Sequence, residues 1–142
     1  MVTPLQLLYA TGAIANGGEL LRPHIVKEVI SPSGETIKKI GKEVIQKRFI
    51  SAKNIDIVRQ GMKAVNVSGT ARNLSDLPVS SAGKTGTAEY NNKEDYHAWY
   101  TAFAPYEDPK IALVVLVEGG GDGNEVAVPI AKEILNWYFH RK

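Results

Sequence analysis

One nine-residue stretch concentrates groups able to do chemistry: Ser81-Ala-Gly-Lys-Thr-Gly-Thr-Ala-Glu89 sets a lysine and three hydroxylated residues among glycines. Such a run can cradle a phosphate or serve acyl transfer. The phosphate loop G-x-x-x-x-G-K-[ST] matches only at its end, Gly83-Lys84-Thr85. Pro78 stands where its first glycine belongs, and Thr85–Tyr90 alternates like a strand where that loop would open a helix. Acyl transfer survives, and strand geometry explains the residue types. Period-two alternation puts Thr85 and Thr87 on one face, where hydroxyls can hydrogen-bond an anionic substrate carboxylate. Gly86 lets a substrate backbone approach, the Thr87 N–H can donate to an oxyanion, and Lys84 supplies positive charge and can assist proton transfer.

A serine nucleophile needs its base within hydrogen-bond reach. Ser81-Ala-Gly-Lys84 formally satisfies S-x-x-K, but on a strand residues i and i+3 point to opposite faces about 10 Å apart, so the match is accidental. Nor is there an S-x-N. Ser75-Asp76-Leu77 begins like S-D-N and departs, and Tyr90-Asn91-Asn92 follows the motif strand directly and reads as a turn. Glu89 reads as a solvated or paired charge. His24, His97 and His140 lack a partner histidine at i+4 and there are no cysteines, so no residue is assigned to a metal and no cofactor is implied. Gly119–Gly123 lacks the G-x-G-x-x-G spacing and reads as a flexible loop.

The elements around the motif follow from periodicity. Thr3-Pro4 opens a helix over 4–16 that stops at Asn16-Gly17-Gly18; Ser51 caps a second over 52–66; a third covers 126–138. Three strands, 79–90, 97–104 and 111–117, are joined by connections short enough to make them antiparallel. Residues 25–49 read as a projecting β-hairpin or small β-appendage turning at Ser31–Gly34, with Thr36–Ile40 as a second arm, and 71–79 as a polar loop. The fold class is therefore α+β, a three-stranded antiparallel sheet flanked by helices. His97 and Trp99 share a face of the second strand with Thr101 and could border the motif groove, or simply pack across strands.

Composition is that of one globular domain: 142 residues, 44% apolar and 23% charged. The net charge of +2 gives no footprint for nucleic acid, and the run Lys38, Lys39, Lys42, Lys47, Arg48 reads as a solvated face. No apolar run approaches the length of a membrane span, so the chain is expected to be soluble as given. Structure starting almost at residue one suggests a piece of a larger domain.

Motif order carries a more specific message. "VTPLQLLYATGAIANGGELLRPHIV", then "SGTAR", "AGKTGTAEY", "HAWYTAFAP", "PKIALVVLVEGGG" and "AVPIAKEIL", resembles the C-terminal part of the transpeptidase domain of class B penicillin-binding proteins, elongation type, over nearly the whole chain. Lys84-Thr85-Gly86 is then the K-T-G motif, one of three with S-x-x-K and S-x-N. The resemblance implies peptidoglycan cross-linking through a serine acyl-enzyme that β-lactams also acylate. It implies that Lys84, Thr85, Gly86 and Thr87 form the substrate-carboxylate and oxyanion side, and that nucleophile and base lie upstream. The chain would be inactive alone, its parent anchored in the cytoplasmic membrane with this domain on the outer face. Cutting away the upstream portion would expose apolar surface and favour self-association. Two alternatives stand beside it: a non-catalytic interaction module using the basic hairpin, and a fragment of a serine β-lactamase.

Overall fold

The computed structural model describes residues 2–47, 49–90 and 95–141. Helix α1 (Pro4–Ala15) begins in a capping box: the Gln6 N–H donates to Thr3 Oγ1 at 3.2 Å and the Thr3 N–H to Gln6 Oε1 at 2.9 Å. Two donors that a helix start leaves unpaired are thereby satisfied. It ends at Asn16, after which Gly17 and Gly18 take positive φ. Short strands follow, β1 (Glu19–Leu21), β2 (Glu28–Ile30), β3 (Thr36–Lys39) and β4 (Val44–Lys47), then α2 (Ala52–Val67) and a 3-10 turn at Arg72–Leu74. The main sheet is β5 (Ala82–Tyr90), β6 (Asp95–Ala104) and β7 (Ile111–Val117), and α3 (Ala127–His140) closes the chain.

The sheet is antiparallel with order β5-β6-β7, as the short connections implied. Alternation along β6 sends Ala98, Tyr100, Ala102 and Ala104 into a core shared with Leu113, Val115, Val128, Ala131 and Leu135, beneath α3. Phe103 points the other way, to Ala15 of α1 and Met62 of α2. Helices α1 and α3 both pack on β7, which explains its unbroken apolar run. Arg59 of α2 locks the second layer. Its guanidinium donates to the Ala15 and Tyr106 carbonyls and lies 5.0 Å from the Phe103 ring centroid, so the last carbonyls of α1 meet a cation.

Three expectations need correction. Residues 25–49 are not one hairpin: β2 pairs with β3 at the tip while β1 pairs with β4 at the base, Leu21 opposite Val44. The missed strand β1 is three residues long and directly follows a helix stop, too short for alternation to register. Residues 71–79 are not simply a polar loop, because Ala71, Leu74 and Leu77 are buried in the α3-side core and the backbone between them makes a 3-10 turn. Third, boundaries move: β5 starts at Ala82 rather than 79, β6 at Asp95 rather than 97, and α3 runs 127–140 rather than 126–138. Ser80 instead holds the Tyr106 N–H through its carbonyl at 3.0 Å, a loop contact that precedes the ladder.

Candidate active-site strand

Register decides where the motif points. Thr85 lies opposite Tyr100 and Thr87 opposite Ala98, so both threonines sit on the α3 side; Lys84 opposite Thr101 and Gly86 opposite Trp99 sit on the α1 side. β5 is an outer strand among the described residues, so both of its faces border an edge with no paired strand. The Lys84 ammonium donates to the Thr85 carbonyl at 2.7 Å. The Lys84 stem also borders a cavity of about 480 Å³ between α1 and α2, walled by Leu7, Ile14, Val58, Met62 and Val65.

Each motif hydroxyl has a partner from another element. The Thr85 and Thr70 hydroxyls are 2.8 Å apart, and the Gly123 N–H donates to Thr87 Oγ1 at 3.5 Å. Gly123 belongs to the stretch read as a flexible loop, which needs correction. A Cβ on Gly123 would lie 2.4 Å from both the Gly86 and Trp99 carbonyl oxygens, so the loop rests directly on the sheet backbone. The Gly119 N–H fixes its other end by donating to His97 Nδ1 at 3.1 Å, and the His97 ring stacks on Tyr90 at 4.0 Å. His97 and Trp99 are half-buried on the Lys84 side of the sheet. Asn91 and Asn92 lie outside the described residues, as does Arg48; Lys42 pairs with Glu19, while Lys38, Lys39 and Lys47 are exposed. The His24 and His140 rings contact the Arg22 and Asn136 carbonyls, and among the described residues no cluster of three or more His, Asp or Glu could hold a metal ion.

Ser81 is buried and hydrogen-bonded within the fold. It is 6% exposed, and its Oγ accepts from Asn66 Nδ2 at 2.9 Å, while Asn66 Oδ1 accepts from the Tyr100 hydroxyl at 2.8 Å. This buried triad ties α2 to the start of β5 and to β6, and each of its side-chain polar atoms has a hydrogen-bond partner. Burial pushes the Tyr100 phenol well above the ordinary tyrosine value, and the Asn66 hydrogen bond offsets part of that. A folded-state value above the unfolded one means the contribution is complete below pH about 10 and is lost as pH rises further. Urea midpoints of the full-length gene product are therefore expected to fall above pH ~10, and to fall less steeply in Tyr100→Phe. An equal alkaline decline in both proteins would refute this assignment.

Sequence reasoning missed Thr70, Gly123 and Asn66 as neighbours of the motif. The first was visible inside "SGTAR", and the second in a glycine run too dense for a simple turn. Asn66 had no signal beyond a polar residue on the apolar side of α2.

Comparison with known proteins then settles the class. Residues 1–136 match the model of the family described as the penicillin binding protein transpeptidase domain. The chain belongs to this family. The resemblance read from motif order is thereby borne out, as is the α+β fold. Among relatives of this transpeptidase-domain chain, the peptidoglycan D,D-transpeptidase MrdA of Haemophilus influenzae is 31% identical over 99% of the chain and 24% of the relative. The peptidoglycan D,D-transpeptidase PbpA of Mycolicibacterium smegmatis is 35% identical over 94% of the chain and 28% of the relative. The chain thus spans about a quarter of the length of these curated relatives. Penicillin-binding protein A of M. tuberculosis, solved as a ceftriaxone acyl-enzyme complex, superposes with TM-score 0.83 at 33% identity, over 94% of this chain and 31% of that one. Pseudomonas aeruginosa PBP2, in complex with WCK 5153, gives 0.80 at 33% identity over 99% and 30%.

Proposed function

We propose that this transpeptidase-family chain is the C-terminal part of a D,D-transpeptidase domain that cross-links peptidoglycan stem peptides through a serine acyl-enzyme and is acylated by β-lactams. It contributes the substrate-carboxylate and oxyanion wall; nucleophile and base come from an upstream portion. The observation that carries the reading is the outer position of β5 among the described residues, with Lys84 on one face, Thr85 and Thr87 on the other, and the Lys84 ammonium bonded to the Thr85 carbonyl. With that carbonyl bonded to Lys84, the alternation of an antiparallel ladder turns the Thr87 N–H outward as well. That N–H is the oxyanion donor; the Lys84 charge and the two hydroxyls take the substrate carboxylate; His97 and Trp99 border the groove. The apolar walls of the cavity beside Lys84 support cover by the upstream portion, and without it they favour self-association. No described helix is long and apolar enough to cross a membrane, so anchoring at the outer face of the cytoplasmic membrane would fall to other parts of the parent.

Mass spectrometry tests this directly. The full-length gene product incubated with benzylpenicillin is expected to gain one adduct on a serine outside these 142 residues, and this chain alone is expected to gain none. An adduct on Ser81, or no adduct on the full-length product, overturns the proposal.

A further inference from the structure

The segment Ser68-Gly-Thr-Ala71 stands directly beside the motif strand, and each of its residues has a separate structural task. Ser68 ends α2, its N–H bonding the Ala64 and Val65 carbonyls. Gly69 folds back so tightly that a Cβ there would lie 2.8 Å from Val65 Cα, a contact no side chain can make. Ala71 is fully buried, and its N–H donates to the Val65 carbonyl at 3.1 Å. Thr70 is therefore pinned on both sides while its side chain stays exposed, and its hydroxyl sits 2.8 Å from Thr85 Oγ1. A turn anchored this firmly fixes the hydroxyl at its tip.

We propose that Thr70 is a positioning residue for anion recognition: its hydroxyl accepts from or donates to Thr85 so that the Thr85 hydroxyl is held at the β5 edge toward an incoming carboxylate. The inference rests on the transpeptidase reading and adds a residue to the same site. A threonine hydroxyl on an exposed strand otherwise rotates among rotamers, and orienting it in advance removes that cost from substrate binding. Thr70 acts through Thr85, so its effect requires both the Thr85 hydroxyl and a negatively charged ligand.

The test measures acylation rates (k2/Ks) of the full-length gene product by benzylpenicillin and by its methyl ester, which lacks the carboxylate charge. Thr70→Val is expected to slow acylation by benzylpenicillin about tenfold and by the ester less than threefold, while Thr70→Ser restores the wild-type rate. In a Thr85→Val background the Thr70→Val change is expected to add nothing. A wild-type rate in Thr70→Val, equal losses on both ligands, or losses that multiply in the double variant would overturn the positioning role and leave the transpeptidase reading intact. A wild-type protein unreactive to benzylpenicillin would overturn both. Circular dichroism melting of each variant separates a misfolded turn from a misoriented hydroxyl. A large drop in melting temperature in Thr70→Val that Thr70→Ser does not share would assign Thr70 to packing, against the proposal.

Discussion

Lys84→Ala in the full-length gene product is expected to lower the second-order rate of acylation by benzylpenicillin about 100-fold, the scale set by removing one preorganised charged donor from such a site. The folded protein is expected to tolerate the change, because Lys84 is exposed and, among the described residues, its ammonium bonds the Thr85 carbonyl alone. Exposed side chains without buried partners shift stability by about 0.5 kcal/mol or less. The loss should therefore appear in rate and not in melting temperature. Salt offers a second handle: attraction between Lys84 and a ligand carboxylate weakens as the screening length shortens. The wild-type rate is expected to fall with added sodium chloride more steeply than the Lys84→Ala rate. Lys84→Arg keeps the charge but not the compact ammonium, and is expected to recover only part of the loss. A variant within threefold of wild type in acylation would remove Lys84 from the site.

Much of this arrangement is legible in the sequence, for identifiable physical reasons. The alternation Lys84-Thr85-Gly86-Thr87 is local and needs only strand geometry to be read. The α1 start was readable too, because Thr3, Pro4 and Gln6 cap the helix through contacts within one turn. What escaped depends on contacts between residues far apart in the chain. Polar composition hid the burial of Ala71, Leu74 and Leu77, whose three-residue spacing matters only once α3 covers them. Strand β1 becomes a strand because β4, more than 20 residues later, pairs with it. The glycines at 119–123 look like slack in sequence, yet Gly123 is required by a sheet backbone it meets across 36 residues, at Thr87. Likewise Thr70 gains meaning only beside Thr85.

Gly83→Ala is expected to cost about 3 kcal/mol, the upper end for overpacking a close-packed interior, although it adds a single methyl group. That methyl would stand 2.1 Å from the Tyr100 hydroxyl oxygen and 2.7 Å from the Thr101 carbonyl oxygen. Neither obstacle can retreat. Tyr100 is fully buried and hydrogen-bonded to Asn66, which also holds Ser81, and the Thr101 carbonyl is part of the neighbouring strand. The strain is expected to move β5 outward at the residue just before Lys84, so acylation should fall together with stability, unlike the Lys84→Ala case. Gly12→Ala is the matched control. It lies within α1 with nothing within 4 Å of an added Cβ, and alanine there is expected to stabilise the helix by about 0.5–1 kcal/mol. Paired urea titrations of the two variants in the full-length gene product read the contrast directly. If the unfolding free energy of Gly83→Ala lay within about 0.5 kcal/mol of wild type at unchanged slope, Tyr100 would have an escape route, and the triad of Asn66, Ser81 and Tyr100 would not be what holds the motif strand in place.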